Sequence, residues 1–112
     1  MFDVFIMDMG GHDDNVKSLV QRFPHARVVR YYDNHLDTLK RCISRCRTPY
    51  AWVISSCCDY VDFDFDYRPI HHQAYQIHCW ASGSQQFGDT FLVPKDEFLK
   101  QQDIELLEWY KD

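Results

Sequence analysis

Residues 50–67, YAWVISSCCDYVDFDFDY, join an apolar run to a series of aspartates, and this stretch decides how the fold is interpreted. The first part, Tyr50 to Ile54, is short and rich in aromatic and β-branched residues, which predicts a buried strand. The aspartates that follow are Asp59, Asp62, Asp64 and Asp66. In open α/β folds, ligands and metals are held at the carboxyl ends of buried strands. The stretch therefore predicts a core strand with a candidate site at its carboxyl end.

Upstream of this strand, short apolar runs alternate with amphipathic helices. Residues 3–9 and 26–32 predict two further strands, and a turn follows each of them. Apolar residues at helical spacing then predict two helices, the first capped by Asp13 and Asp14 and the second by Asp33-Asn34. A β-α-β-α-β order implies right-handed crossovers and a parallel sheet.

The second half of the chain has a different pattern. Residues 74–80 and 90–93 predict two strands joined by a turn region, which favours a hairpin-like, antiparallel arrangement. Short helices are predicted over residues 94–99 and 104–110. The expected fold is a three-layer α/β domain with a mostly parallel sheet, and residues 1–112 are expected to form a single domain.

Composition narrows the classes of partner. The formal net charge is −5, which argues against a general nucleic-acid binder because such proteins rely on a positive field. The N-terminus shows no charged-then-apolar leader, and no apolar run approaches the roughly 20 residues that span a bilayer. The five cysteines include no CxxC pair and favour reduced thiols. We therefore expect a soluble, cytoplasmic protein that does not bind membranes.

The aspartates alternate with apolar residues, so Asp62, Asp64 and Asp66 would share one face of an extended strand. Such a row of carboxylates offers hard oxygen ligands to Mg²⁺ or Mn²⁺. The alternative is an amphipathic edge segment whose aspartates face water and deter edge pairing. That alternative is favoured for Asp64 and Asp66, whereas Asp59 and Asp62 are the better metal candidates.

Three other features are candidates for substrate binding. Asp8 precedes Gly10-Gly11 at the end of the first strand, where a doubly wound fold binds a nucleotide, although no GxGxxG or Walker pattern is present. His78 faces opposite to its strand neighbours and lines a site in one interpretation. The polar loop that contains Asp89 either lets backbone amides approach a phosphate or is a simple hairpin connection.

These elements and motifs resemble the donor-binding half of glycosyltransferases with the GT-A fold. They resemble more closely a group of tailed-phage proteins, some of which are assigned to that fold. The resemblance is carried by residues 52–56, Asp59-Tyr60, residues 62–65, His78 and residues 88–92. It implies a reduced GT-A-like domain with a degenerate metal motif, because the places of the family's Asp-x-Asp fall near Ser55 and Cys57.

The resemblance implies a domain that binds a nucleotide or nucleotide-sugar at the carboxyl ends of the first and third strands. Asp8 and Asn34 would contact the base or ribose, Asp59 and Asp62 would hold Mn²⁺ or Mg²⁺ with the diphosphate, and His78 and Asp89 would complete the substrate site. If the chain is active, it is expected to be glycosyltransferase-like.

Two alternatives involve protein partners instead. The first is a non-catalytic phage protein, located in the host cytoplasm, that binds a host or phage protein through its acidic face at residues 59–66. The second is a homodimer formed through an edge strand.

Overall fold

Five strands form one mixed sheet at the centre of the computed structural model, which describes residues 1–31, 34–80 and 89–100. The strands are β1 (Asp3–Asp8), β2 (Arg27–Arg30), β3 (Tyr50–Ser55), β4 (His78–Trp80) and β5 (Thr90–Pro94). Their order across the sheet is β2-β1-β3-β5-β4. β1 pairs in parallel with β2 and β3, whereas β5 is antiparallel to β3 and β4. The predicted parallel first half and antiparallel second half are both confirmed.

The described helices connect or follow these strands. They are α1 (Asp13–Arg22), α2 (His35–Ile43) and α3 (Lys95–Lys100), with a 3₁₀ turn at His71–Gln73. β2 and β4 are shorter than predicted, and the helix predicted over residues 104–110 lies outside the described residues.

The two predicted helix caps have different outcomes. Asn34 is the N-cap of α2, and its side chain accepts a hydrogen bond from the Asp37 N–H at 3.2 Å, as predicted. The N-cap of α1 is His12, which makes no side-chain cap, so capping by Asp13 and Asp14 is wrong. These two residues occupy the first turn instead, where their charges favour the positive end of the helix dipole.

Strand alternation divides the core between the two faces of the sheet. Val4 and Ile6 of β1 face α1, and we call this face the α1 side. Phe5 and Met7 face α2 and α3, and we call this face the α2 side. β3 follows the same alternation, so helices on opposite faces enclose a sheet that is buried on both sides.

The α1 side is also covered by residues 56–67, which we call the covering segment. The strand predicted over residues 61–67 is wrong, because the segment runs through successive turns. The Asp59 and Asp64 carboxylates accept hydrogen bonds from the N–H groups of Val61 and Asp66, at 3.0 and 2.9 Å, and such local bonds compete with a strand ladder. The outermost strands of the sheet are β2 and β4, so the segment is not an edge strand either.

The burial pattern predicted for the covering segment holds despite its irregular backbone. Phe63 and Phe65 are buried against Trp52, whereas the aspartates at positions 62, 64 and 66 are exposed. The alternation therefore reports which side chains enter the core, although it does not report the backbone conformation.

Candidate functional site

The carboxyl ends of β1 and β2 border a cleft of about 560 Å³. Its lining residues are Asp8, Met9, Gly10, Val28, Arg30 and Tyr31. Asp8 is the register partner of Arg30 across the two parallel strands, and the Tyr31 N–H donates to the Asp8 carbonyl at 3.2 Å. A carboxylate and a guanidinium are thus brought together at the carboxyl ends of two neighbouring strands.

The turn after β1 shapes one wall of this cleft. The Asp8 side chain accepts a hydrogen bond from the Gly10 N–H at 3.0 Å. Gly10 has a φ of +84°, a left-handed conformation that favours glycine. A Cβ at Gly10 would find no heavy atom within 4 Å, so the glycine is required for its conformation rather than for space.

A second cleft, of about 570 Å³, lies at the start of α1 and is lined by residues 11–15. Helix N-termini commonly bind anions, but here Asp13 and Asp14 place two carboxylates in the first turn. Their charge opposes a phosphate at this position. The cleft that contains Arg30 is therefore the better place for an anionic ligand.

The space between the ends of β1 and β3 is bridged by the chain itself. The Ser56 N–H donates to the Met7 carbonyl at 3.0 Å, and its hydroxyl oxygen accepts from the Met9 N–H at 2.8 Å. The Asn15 side chain then donates to the carbonyls of Ser56 and Cys58, at 2.5 and 3.0 Å. Of the two clefts described, the one that contains Arg30 lies between the first and second strands, whereas the resemblance implied a site at the first and third.

Asp89 lies at the start of β5, and its partner is His35, which the sequence analysis did not select. His35 Nε2 is 2.9 Å from Asp89 Oδ1, and His35 Nδ1 is 3.1 Å from the Tyr31 hydroxyl. The hydrogen bond from His35 holds the pKa of the Asp89 carboxyl below its usual value, against a smaller opposing effect of burial. The three side chains join the end of β2, the start of α2 and the start of β5, and Tyr31 also lines the cleft.

The other two predicted substrate residues have local structural partners. Asn34 is exposed and caps α2. His78 is half-buried at the amino end of β4, where its ring nitrogens lie 3.0 Å from the Tyr67 hydroxyl and 2.9 Å from the Gln73 carbonyl. Its ring packs against Tyr67 on the α1 side, and it is not brought to Asp8, which lies at the carboxyl end of β1.

The predicted metal ligands Asp59 and Asp62 are both exposed on the covering segment. Within residues 1–31, 34–80 and 89–100, no group of three His, Cys, Asp or Glu side chains is placed to hold a metal ion. At the places of the Asp-x-Asp motif, the Ser55 hydroxyl accepts from the Cys57 N–H at 3.2 Å and lies 2.9 Å from its sulfur. The donor set does not fit a metal held by the protein alone, and the Mn²⁺ or Mg²⁺ site stays a prediction.

Tyr31, His35 and Asn15 were missed by the sequence analysis. Arg30 belongs to a group of basic residues in the first half of the chain that could steer a phosphate-bearing ligand, but it was not singled out. Two signals for them are present in the chain. Arg30 and Tyr31 lie near the end of the second predicted strand, as Asp8 lies near the end of the first, and parallel neighbours end at the same edge. Tyr31 and His35 are only four positions apart in the sequence, at the end of a predicted strand and the start of a predicted helix, so a local contact between them is possible.

No helix in the described part of the chain has both the length and the apolar character needed to cross a bilayer. Comparison with known proteins finds no match to a family model, to a curated protein or to a solved structure. The function is therefore argued from the residues of the cleft.

Proposed function

We propose that this chain is a nucleotide- or nucleotide-sugar-binding α/β domain whose ligand lies in the cleft at the carboxyl ends of β1 and β2. The observation that carries the proposal is that Asp8 and Arg30, partners across two parallel strands, line the same cleft. A carboxylate at such an edge accepts hydrogen bonds from ribose hydroxyls, and a guanidinium matches the geometry of a phosphate. The pair thus offers one group for each polar part of a nucleotide.

The size and walls of the cleft also support a ligand of this class. Its volume of about 560 Å³ is typical of sites for small organic ligands. Tyr31 supplies an aromatic wall, and Gly10 supplies backbone without a side chain at the turn. An aromatic wall suits a base, and bare backbone lets a ligand approach closely.

Glycosyl transfer is the extension of this function that the resemblance implies. Arg30 is a cation of the cleft that can stabilise the charge of a leaving diphosphate. A divalent cation would take most of its ligands from the diphosphate, as Mg²⁺ commonly does. Binding is therefore the primary proposal, and turnover is its extension.

Isothermal titration with UDP and UDP-glucose, with and without Mn²⁺, tests the proposal. We expect binding to the wild-type chain and a loss of about tenfold or more in Arg30→Ala, because a charge-assisted hydrogen bond is removed. Arg47→Ala is the matched control, since this exposed arginine precedes β3 at the opposite edge of the sheet. Absence of heat with every nucleotide would sink the proposal, and equal losses in the two variants would argue against the cleft.

A second candidate function is favoured by the surface of the covering segment. It exposes the four aspartates at positions 59, 62, 64 and 66, and Val61 among them is 76% exposed. Phe63 and Phe65 anchor the same segment in the core, so the acidic surface has a fixed backbone. A rigid surface of this composition suits a basic protein partner, whether from a host or a phage.

Affinity capture from a bacterial lysate, followed by titration of the purified partner, tests this second function. We expect a stoichiometric partner whose binding is lost in the double variant Asp62→Lys and Asp64→Lys. Asp96→Lys is the control because Asp96 is exposed on α3. A partner that binds all three chains equally would exclude the acidic surface as its site.

A further inference from the structure

Tyr31, His35 and Asp89 form a hydrogen-bonded chain whose proton positions follow from its chemistry. The Asp89 carboxylate only accepts hydrogen bonds once ionised, so the His35 Nε2 that lies 2.9 Å away must carry a proton. In the neutral imidazole, Nδ1 then has a lone pair. The Tyr31 hydroxyl, 3.1 Å from Nδ1, is therefore the donor in that contact.

Tyr31 is thereby held both by its backbone and by the end of its side chain. Its backbone N–H is bonded to the Asp8 carbonyl, and its hydroxyl is bonded to His35 on α2. Its ring also meets the His35 ring edge-on, with centroids 5.2 Å apart, and packs against the core of the α2 side. A residue with two χ angles and this many contacts loses most of its freedom before any ligand arrives.

His35 is itself fixed from the opposite side. Its ring contacts Phe91 of β5 edge-on at 5.8 Å, and Asp89 holds its Nε2. Asp89 adopts a φ of +57°, an uncommon conformation for a residue with a side chain. The start of β5 thus supports an imidazole that in turn supports a wall of the cleft.

We propose that His35 and Asp89 are positioning residues of the nucleotide cleft, which orient Tyr31 through the chain Tyr31 O–H to Nδ1 and Nε2–H to Asp89. This inference rests on the proposed function, because it takes the cleft as the nucleotide site. It adds two positioning residues, one on α2 and one just before β5, and neither of them lines the cleft. The chain preorganises the aromatic wall, so binding costs less ordering of that side chain.

The proton arrangement is tested without any ligand, by long-range ¹H–¹⁵N correlation of the imidazole nitrogens. We expect a protonated Nε2 and an unprotonated Nδ1 for neutral His35, with the His35→Gln spectrum used for assignment. In Tyr31→Phe the Nδ1 resonance should shift, because its donor is removed. A protonated Nδ1 in neutral His35, or an Nδ1 resonance unchanged in Tyr31→Phe, would overturn the proposed hydrogen-bonded chain.

The positioning role is tested by the affinity for UDP. We expect about fivefold weaker binding in Tyr31→Phe and in His35→Phe, the effect of about one hydrogen bond. His35→Gln should retain affinity within about twofold, because its amide can donate to Asp89 and accept from Tyr31. The double variant Tyr31→Phe, His35→Phe should bind no more weakly than either single variant, since His35 acts through Tyr31.

Independent losses that multiply in the double variant would overturn the positioning role, as would unchanged affinity in His35→Phe. If circular dichroism shows that His35→Phe does not fold, the UDP affinities of His35→Gln and Tyr31→Phe decide whether the positioning role holds. A wild-type chain that binds no UDP would overturn the proposed function and the ligand half of this inference. If the His35 tautomer differs from the expected one while UDP binding is intact, only the proposed hydrogen-bonded chain is overturned.

Discussion

The two sides of the sheet are covered in different ways. On the α2 side, two helices pack aliphatic and sulfur-containing residues such as Leu39, Cys42 and Ile43 against the strands. On the α1 side, one helix and the irregular covering segment cover the strands together. Among the described residues, five of the eleven buried core residues on this side are aromatic, against three of thirteen on the α2 side. Trp52, Phe63 and Phe65 meet there with ring centroids 4.8 to 5.5 Å apart.

This difference shows how a segment without regular secondary structure can cover a hydrophobic core. Helices satisfy their own backbone groups, whereas the covering segment needs partners from its neighbours. Besides the bonds from Asn15 described above, Arg22 of α1 donates to the Tyr60 carbonyl at 2.7 Å. The Tyr60 hydroxyl accepts from the Ser55 N–H at 2.8 Å and lies 2.6 Å from the Thr90 hydroxyl. These bonds tie the segment to α1, β3 and β5.

The largest expected effects test whether the two coverings contribute equally to stability. Phe65→Ala and Leu39→Ala should each lower the free energy of unfolding by about 3 kcal/mol, because each leaves a cavity beside a buried sheet. Urea unfolding measures both. A cost below about 1 kcal/mol for Phe65→Ala alone would show that the covering segment contributes little to stability and that the two sides are not equivalent.

A somewhat smaller effect is expected when the main polar anchor of the covering segment is removed. Tyr60→Phe should cost about 2 kcal/mol, because the buried Ser55 N–H and Thr90 hydroxyl lose a partner. Chemical denaturation compares it with Tyr75→Phe, whose side chain is 67% exposed and should make no difference. Equal stability of the two variants would mean that the aromatic contacts alone hold the segment.

Alkaline pH should weaken both sides, because each contains a buried thiol whose pKa is raised. Burial raises the pKa of Cys42 on the α2 side to about 12 and that of Cys58 on the α1 side to about 11. The unfolded chain ionises at the ordinary thiol pKa of 9.0, so stability is intact below that pH and falls as pH rises toward the raised values.

One unit above the ordinary thiol pKa, each thiol should cost about 1 kcal/mol. Unfolding free energies measured from neutral pH to about pH 11 should therefore decline less in Cys42→Ala and Cys58→Ala than in the wild-type chain. Cys57→Ala is the control because that thiol is exposed. A decline of the same size in all four chains would contradict the assignment.

The smallest effect concerns the carboxyl edge of the sheet. The His35 hydrogen bond lowers the pKa of Asp89, so its contribution to stability is present above the ordinary carboxyl pKa and is lost as pH falls through the lowered value. Carboxyl ¹³C titration should show the Asp89 pKa rising in His35→Phe and changing less in Tyr31→Phe. The same midpoint in both variants would exclude His35 as the cause.

Much of the fold is readable from the chain because the signals are local. The alternating apolar runs and helical stripes predict β1 to β3 and both connecting helices, and the cap at Asn34 is predicted from its residue type. The covering segment shows the limit. Its apolar period of two correctly predicts which side chains are buried, but aspartate side chains bind neighbouring N–H groups and replace the predicted strand by turns.

The candidate site was only partly readable. Asp8 and Asp89 lie at the edge where the sequence analysis placed them, whereas His78 engages Tyr67 and Gln73 on the α1 side. Tyr31 and His35 were missed, and Arg30 was not singled out, because their roles depend on which strand lies beside β1 and on the contact between His35 and Asp89.

By itself, the sequence determined most strands and helices of the described chain, the side chains of the covering segment that enter the core and the net acidity of the protein, since these follow from the side chains of neighbouring positions. Only the tertiary structure decided that Ser56 bridges β1 and β3, that the cleft lies beside β2, and that Tyr31, His35 and Asp89 meet. These are contacts between residues up to 54 positions apart. Local propensity carries no information about such contacts, and packing selects them from the arrangement of the whole sheet.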